Sequence, residues 1–168
     1  MSCIPFPHGF YETVLDIRPE ALTRRGITLL LADLDNTLVP YKVPEPTEAI
    51  KHWKEELEAG GVQLFLLSNS RKPGRPKRFA DALGIEFIGH AGKPKRGGFS
   101  AALERTGRTR EQTAIVGDQI FTDMLGGTRM GITTLLVRPI RLAGNPGRYL
   151  RYWVETPFRL VAQRRGKL

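Results

Sequence analysis

The stretch that decides the fold is ITLLLADLDNT, residues 27–37, in which an apolar run of strand length leads directly into two carboxylates and a hydroxyl. Residues 62–67 (VQLFLL) and 132–137 (ITTLLV) show the same nearly continuous apolar character. Such runs are typical of strands that are buried on both faces of a parallel sheet. Shorter apolar runs at residues 85–88 and 113–116 complete a set of five predicted strands.

Predicted helices lie between these strands, at residues 45–59, 77–83, 98–105 and 120–130. The alternation predicts an α/β fold, a doubly wound three-layer Rossmann-like domain with a central parallel sheet, which binds ligands at the carboxyl ends of its strands. Only about 27 residues separate Asn36 from Leu64, and one helix with its turns uses nearly all of them. We therefore expect no large cap domain and an open pocket.

The first candidate site is the group Asp33, Asp35 and Thr37 at the end of the first predicted strand. Two carboxylates held close together repel each other, so a metal cation or a shared proton would stabilise them. Oxygen ligands of this kind suit Mg²⁺. The alternative is purely structural, because Asp and Asn often close turns and Thr often caps helices.

Three further segments bring polar side chains to strand ends or nearby loops. The run AIVGD ends at Asp118, and Asp123 follows after a short turn, although both acids also suit helix capping. Ser68 and Asn69 follow the strand VQLFLL and offer a hydroxyl and backbone amides. Lys93 precedes the next predicted helix and offers a cation, whereas a lone lysine in a loop is usually only solvated.

Taken in this order, the four segments resemble the haloacid dehalogenase superfamily of phosphotransferases over residues 27–137. The resemblance implies that Asp33 is a nucleophile that forms an aspartyl-phosphate. It implies that Asp35 is first the general acid and then the general base. It also implies that Lys93 neutralises the charge of the transferring phosphoryl group, which is a chemistry that depends on alignment and charge neutralisation.

The same resemblance implies which groups hold the phosphoryl group and the metal. Ser68, Asn69 and Thr37 would bind the phosphoryl group. Mg²⁺ would be held by Asp33, Asp118 and the backbone carbonyl of Asp35. Asp123 would be either a further direct ligand or a residue that contacts the ligands. A carboxylate nucleophile facing a phosphate dianion would be repelled without such a cation.

Three longer phrases are similar to the class IIIA subfamily of YqeG-type phosphatases, which is related to mitochondrial phosphatidylglycerophosphate phosphatases. They are residues 14–20 (VLDIRPE), 33–41 (DLDNTLVPY) and 116–132 (VGDQIFTDMLGGTRMGI). Ser70 departs from the pattern, where a second Asn is expected. The similarity implies a Mg²⁺-dependent phosphomonoester hydrolase, with phosphatidylglycerophosphate as a candidate substrate. The alternative is a non-catalytic or weakly catalytic scaffold that binds RNA or the ribosome.

Positive charge is concentrated in two parts of the chain. The 26 Lys and Arg residues exceed the 17 Asp and Glu residues by a net charge of +9. Residues 138–168 hold eight cations and one acid, or +7, so residues 1–137 are predicted to form a nearly neutral phosphatase domain and residues 138–168 a basic aromatic tail. A second cluster follows Ser68 and is expected beside the pocket: Arg71, Lys72, Arg75, Lys77 and Arg78.

Three interpretations of the basic aromatic tail remain open. It suits a peripheral helix on an anionic bilayer, but its aromatic residues also suit a cover for the core, with the arginine stems draped over the surface. Basic and aromatic residues also bind nucleic acid, which we regard as the less favoured partner. The oligomeric state is left open.

The composition of the chain narrows the class of protein and its cellular compartment. With 40% hydrophobic and 26% charged residues and a mean hydropathy of −0.27, the chain is neither disordered nor fibrous. Cys3 is the only cysteine, which excludes an internal disulfide and a cysteine-based zinc site. The N-terminus does not resemble a signal peptide, and no apolar run approaches the roughly 18 residues of a spanning helix. We predict a cytoplasmic enzyme that acts on a phosphorylated substrate, with any membrane contact peripheral, at the inner face.

Overall fold

A computed structural model of the chain describes residues 6–72, 74–141 and 146–168, so Cys3 lies outside the described residues. The described residues form a single sheet of six strands, all pairs of which are parallel. The strands are β1 (Gly9–Tyr11), β2 (Leu29–Ala32), β3 (Gln63–Leu67), β4 (Glu86–Ile88), β5 (Thr113–Gly117) and β6 (Thr133–Val137). Their order across the sheet is β1-β6-β5-β2-β3-β4.

Helices connect the strands along the chain. They are α1 (Pro19–Thr23), α2 (Glu48–Ala59), α3 (Arg75–Leu83), α4 (Arg96–Thr106), α5 (Leu125–Met130) and α6 (Pro146–Arg165). A 3₁₀ turn precedes α1 at Val14–Asp16, and one π-helical turn at Ile120–Met124 leads into α5. Helix α2 begins after Thr47, whose hydroxyl accepts a hydrogen bond from the Ile50 amide at 3.3 Å, as a helix N-cap does.

The predicted α/β class, the parallel sheet and the five predicted strands are confirmed, with boundaries that differ by at most two residues. Between β2 and β3 the chain forms a loop and α2 but no cap domain, as expected from its length. The prediction missed β1, a strand of three residues that pairs with β6 at the edge of the sheet. So short a segment has no periodicity of its own, and its strand conformation depends on pairing with β6.

The sheet is buried on both faces, as its apolar strands predict. Alternate residues of β2 contribute to different clusters, with Leu30 and Ala32 in one and Leu29 and Leu31 in the other. The first cluster also contains Trp53 of α2 and residues of α1 and α3, whereas the second contains residues of α4 and α5. The molecule therefore has three layers, with helices on both sides of the sheet.

The order of the strands places the candidate site at the centre of the sheet. From β2 the chain proceeds to β3 and β4 at one edge, whereas from β5 it proceeds to β6, next to which β1 forms the other edge. The direction of winding therefore changes between the neighbouring strands β2 and β5. In open α/β sheets this switch point, at the carboxyl ends of the strands, is where ligands bind.

The C-terminal segment forms α6, a helix of 20 residues that packs on the domain beside β1 and the π-helical turn. Ala162 of α6 is fully buried against Ile120, Met124 and Leu136, and Phe158 packs edge to face against Phe121 with ring centroids 5.9 Å apart. The tail thus contributes to the core, while the proposed division of the chain at residue 137 remains a prediction. No helix in the described part of the chain is both long and apolar enough to cross a bilayer.

Candidate active site

The end of β2 presents two buried carboxylates on a tight turn. Asp33 and Asp35 are both less than one-tenth exposed. Asn36 adopts a left-handed φ of 65°, and its amide donates to the Val39 carbonyl at 2.7 Å. Asparagine tolerates this conformation better than most residues, which explains its place in DLDNT. The turn keeps both acids at the switch point of the sheet.

The end of β5 brings two more carboxylates to the same place. Asp118 follows β5 directly, and the π-helical turn returns Asp123 towards the strand, where the Gln119 amide donates to Asp123 Oδ2 at 3.3 Å. A Cβ atom on Gly117 would collide with the Asp123 carboxylate, so a glycine is required here for close approach. Thr37 reaches across from the other loop, and its hydroxyl donates to Asp118 Oδ1 at 3.4 Å.

These loops create a compact group of three buried acids, Asp33, Asp118 and Asp123. One carboxylate oxygen from each lies within 4.8 Å of the others. Burial and the nearby Asp33 carboxylate raise the pKa of Asp123 to about 6, although Lys93 acts in the opposite direction. The donors are all oxygens, and three acids outnumber the one buried lysine among them. Such a set fits a hard divalent cation such as Mg²⁺.

Lys93 lies inside this acidic group rather than in solvent. Its side chain is 1% exposed, and its Nζ lies 2.8 Å from Asp33 Oδ1 and 2.7 Å from Asp123 Oδ1. Burial lowers the pKa of Lys93, but the Asp123 and Asp33 carboxylates outweigh burial and raise it above its ordinary value. The lysine is therefore protonated at neutral pH, and the interpretation as a merely solvated loop residue is wrong.

Ser68 and Asn69 flank the same site on the β3 side. Ser68 is buried, and its hydroxyl accepts a hydrogen bond from the Ser70 amide at 3.0 Å. The side chain of Asn69 donates to the Lys93 carbonyl and accepts from the Lys93 amide, both at 2.9 Å. The Asn69 side chain thus holds the loop that carries Lys93, which leaves its main chain as the part that can meet a phosphate.

Arg75 is a residue of the site that sequence reasoning placed only in a general basic cluster. Its guanidinium donates to Asp35 Oδ1 through Nε at 3.1 Å and through one terminal nitrogen at 2.8 Å. It also donates to the carbonyls of Pro40 and Val43. Arg75 therefore ties the Asp35 carboxylate to the loop after β2. The other cations of the cluster, Arg71, Lys72, Lys77 and Arg78, are exposed.

A second arginine reaches the site from α6. Arg159 donates to the backbone carbonyl of Asp118 and, at 2.9 Å, to the Glu155 carboxylate, which in turn accepts from the Phe121 amide at 3.2 Å. Both side chains are buried, at 7% and 1% exposure. Sequence reasoning missed this pair. Its only signal was the lone acid of the tail, four residues before an arginine.

The structure thus brings together all eight residues that the sequence predicted for the site, on four neighbouring loops. Seven of them are buried, and Asn69 is exposed at the rim. They are Asp33, Asp35, Thr37, Ser68, Asn69, Lys93, Asp118 and Asp123. The Asp35 carboxylate pairs with Arg75 at 2.8 Å, whereas the Asp33 and Asp123 carboxylates pair with Lys93.

Comparisons with known proteins agree with this geometry. A family model described as HAD-hydrolase-like matches residues 90–139. The probable phosphatase YqeG of Bacillus subtilis (strain 168) is 34% identical over 161 residues, which cover 96% of this chain and 92% of that protein. The chloroplastic phosphatidylglycerophosphate phosphatase 1 of Chlamydomonas reinhardtii is 30% identical over 151 residues, which cover 85% of this chain and 56% of that protein.

Solved structures show the same fold at lower identity. The cobalt-bound deoxy-D-mannose-octulosonate 8-phosphate phosphatase of Haemophilus influenzae has a TM-score of 0.51 and 17% identity, covering 85% of this chain and 92% of its own. A haloacid dehalogenase-like hydrolase from Brucella suis 1330 has a TM-score of 0.54 and 13% identity, covering 79% and 94%.

The parallel sheet and the acidic loops at its switch point are those of a haloacid dehalogenase-like hydrolase. Within that superfamily, the similarity along nearly the whole chain is specific, and the chain belongs to the family of YqeG-type phosphatases.

Proposed function

We propose that this protein is a Mg²⁺-dependent phosphomonoester hydrolase that works through an aspartyl-phosphate on Asp33. The observation that carries the proposal is the ion-paired arrangement of Lys93 between Asp33 and Asp123, at 2.8 and 2.7 Å, within a group of three buried acids. A structural turn or helix cap does not require a buried lysine and three converging carboxylates. A phosphoryl-transfer site requires both, because charge must be neutralised around the phosphorus.

In the first step a carboxylate oxygen of Asp33 forms a bond to phosphorus, and the bond from phosphorus to the ester oxygen breaks. Asp35, in its acid form, gives its proton to the departing alcohol. In the second step water attacks the phosphorus, Asp35 takes the proton from that water, and the bond to Asp33 breaks to release inorganic phosphate. Arg75 holds the Asp35 carboxyl group in position through its ion pair at 2.8 Å.

The other residues bind and orient the phosphoryl group. Lys93 offsets its negative charge, while the Ser68 hydroxyl and the Asn69 backbone amide donate to its oxygens. Thr37 is proposed to assist from the opposite loop, where it already contacts Asp118. Mg²⁺, held by Asp33, Asp118, Asp123 and the Asp35 carbonyl, would supply Lewis-acid neutralisation of the phosphate oxygens.

We propose phosphatidylglycerophosphate as the substrate, which the enzyme would meet at a bilayer surface from the cytoplasmic side. Two curated relatives with 30% and 28% identity carry the name phosphatidylglycerophosphate phosphatase 1, although the chain spans only about half of their lengths. A cap domain would hinder access to a headgroup that stays attached to a membrane, and the described residues form none. Exposed Arg71, Lys72 and Arg78 lie in the segment that follows Ser68, where they can attract an anionic lipid.

The reaction is tested with an aryl phosphate and with vesicles that contain phosphatidylglycerophosphate, each with Mg²⁺ and with a chelator. We expect turnover of both substrates with Mg²⁺ alone, and a loss of at least about a thousandfold in Asp33→Asn. The matched control is Asp81→Asn, because Asp81 is an exposed acid of α3 that pairs with Lys77. Unchanged turnover in Asp33→Asn would overturn the mechanism, and turnover of the aryl phosphate alone would overturn the lipid substrate.

Metal binding is tested separately by thermal unfolding. Mg²⁺ at ten times its dissociation constant should stabilise the folded state by about 1.4 kcal/mol, which raises the Tm by about 3–6 °C. Asp118→Asn removes a proposed ligand and should abolish the rise, while Asp81→Asn should keep it. A Tm that does not respond to millimolar Mg²⁺ would contradict the metal site independently of any activity.

A further inference from the structure

The outer face of α6 carries a cluster of exposed apolar side chains. Leu150, Trp153, Val154 and Leu160 are 70%, 74%, 55% and 54% exposed, and they are four of the seven large hydrophobic residues exposed in the described residues. At about 100° per residue these positions fall within an arc of about 120° on one side of the helix. We call this surface the outer face of α6.

Within the described part of α6, all exposed charged side chains are positive. Arg164 and Arg165 follow it in the last turn of the helix, and both are exposed. The only acid in the helix is Glu155, which is 1% exposed and paired with Arg159 on the opposite side. A face of leucine, valine and tryptophan with arginines at its end matches the interface of an anionic bilayer.

Contacts on the side of α6 that packs on the domain, its inner face, fix the rotation of the helix about its own axis. Arg151 donates to Gln119 Oε1 at 2.7 Å, Glu155 accepts from the Phe121 amide, and Arg159 donates to the Asp118 carbonyl. These contacts hold one side of the helix against the loop that carries Asp118. The outer face therefore points away from the site, at a distance of about one helix diameter, roughly 10 Å.

Charge distinguishes a bilayer from a second copy of the chain. A symmetric dimer through the outer face would bring together two chains that each carry a net charge of +9. The cluster spans eleven residues, about 15 Å of helix, which is short for a stable dimer interface. RNA gains little from the aliphatic side chains, because its bases stack on aromatic rings.

We propose that the outer face of α6 docks on an anionic lipid bilayer, with Trp153 and its apolar neighbours at the acyl boundary and the arginines among the headgroups. The inference goes beyond the proposed function, because docking through α6 would hold the chain at an anionic bilayer whatever substrate the site takes. Docking itself requires no phosphatase activity, so the two can fail separately.

Docking is measured with the full chain and two kinds of vesicle, phosphatidylcholine alone and phosphatidylcholine with phosphatidylglycerol. We expect sedimentation with the second vesicle only, and a blue shift of tryptophan emission on binding. Trp53 is 1% exposed and donates to the Ile17 carbonyl at 2.9 Å, so a shift in emission reports Trp153.

The test variant is Trp153→Ser combined with Leu160→Gln, and the matched control is Leu15→Gln, at an exposed leucine outside α6. The double variant should bind the anionic vesicles at least about tenfold more weakly, while its Tm and its turnover of aryl phosphate stay unchanged. Leu15→Gln should bind as the parent does.

Three results would overturn the proposal: no vesicle binding by the parent chain, equal binding by the double variant, or equal binding to both kinds of vesicle. Loss of a dimer or of RNA binding in the double variant, without vesicle binding by the parent, would assign the face to that other partner. Because the vesicles contain no phosphomonoester, a failure to bind them leaves the turnover of aryl phosphate as an independent measure of the enzyme.

Discussion

Two buried arginines reach the site from opposite halves of the sheet, and they hold different kinds of group. Arg75, from α3 on the β4 side, forms an ion pair with the Asp35 carboxylate. Arg159, from α6 on the β1 side, donates to the backbone carbonyl of Asp118 and takes its counter-charge from Glu155 in its own helix. Arg75 thus orients a group that is proposed to transfer a proton, whereas Arg159 holds the main chain at Asp118 in place.

The different partners of the two arginines predict two kinds of defect when each arginine contact is lost. Loss of Arg75 should lower the rate of the reaction as well as the stability, because its buried partner Asp35 is a proposed acid and base. Loss of the Glu155–Arg159 pair should change the stability first, because both groups are buried and one would be left with an uncompensated charge.

The largest effect is expected for Glu155→Gln. The glutamine oxygen can still accept from the Phe121 amide, but Arg159 loses its buried counter-charge, which costs about 3 kcal/mol or more. For a chain of this size the Tm should fall by roughly 10 °C in thermal unfolding. The exposed acid Glu104 of α4 provides the control, since Glu104→Gln should change the stability by less than about 0.5 kcal/mol. An unaltered Tm in Glu155→Gln would mean that α6 is a loosely attached tail.

A smaller effect, on rate, is expected for Arg75→Gln. Without the guanidinium the Asp35 carboxylate is no longer oriented, so kcat should fall about tenfold to a hundredfold. Arg75→Lys should restore part of the rate, while Arg78→Gln, at an exposed position of the same helix, should behave as the parent. An unchanged kcat in Arg75→Gln would assign Arg75 to the loop alone.

The smallest effect concerns His8, which lies near the C-terminal end of α6. Burial, together with Arg165 and Arg25, lowers the pKa of His8 below 6.5, and its Nδ1 accepts from the Thr134 amide at 3.1 Å. Because the folded state favours the neutral ring, the stability that His8 contributes is complete above pH 6.5 and declines as the pH falls towards the lower folded pKa. NMR titration should show the lowered pKa, and Arg165→Gln should raise it towards 6.5, whereas Arg164→Gln serves as the control. If the pKa of His8 is the same in the parent and in Arg165→Gln, the charge of Arg165 does not influence His8.

Much of the core of the fold could be predicted because its signals are local. The strands β2, β3 and β6 are continuous apolar runs, and the acids Asp33, Asp35 and Asp118 follow β2 and β5 directly in the chain. A strand buried on both faces must be apolar throughout, so its end is marked by the first charged residue. That rule places the candidate site residues at the ends of β2 and β5.

The groups that were missed have partners far away in the sequence. β1 is a strand only because β6 pairs with it, across more than a hundred residues. Arg75 stood in a cluster of five cations, and nothing local distinguishes the one that turns inwards to Asp35. Glu155 and Arg159 are four residues apart, a spacing that is equally common in exposed helical pairs.

The two sides of the tail helix α6 differ in exposure. Phe158 and Ala162 cover the core beside Phe121, as one interpretation required, whereas Trp153 and Leu160 remain exposed, as a surface helix would have them. Composition alone does not say which side of a helix is buried. That depends on where the helix starts and on how it packs against the domain.

The sequence by itself determined the parallel α/β class, the order of the four chemical segments and the eight residues proposed for the site. The reason is that burial and motif spacing act over a few neighbouring residues. The tertiary structure alone decided which cations are buried, which carboxylate each of them meets and which face of α6 remains exposed. Those outcomes depend on electrostatic and packing contacts between segments about thirty or more residues apart, and the energy of such contacts exists only once the chain has folded.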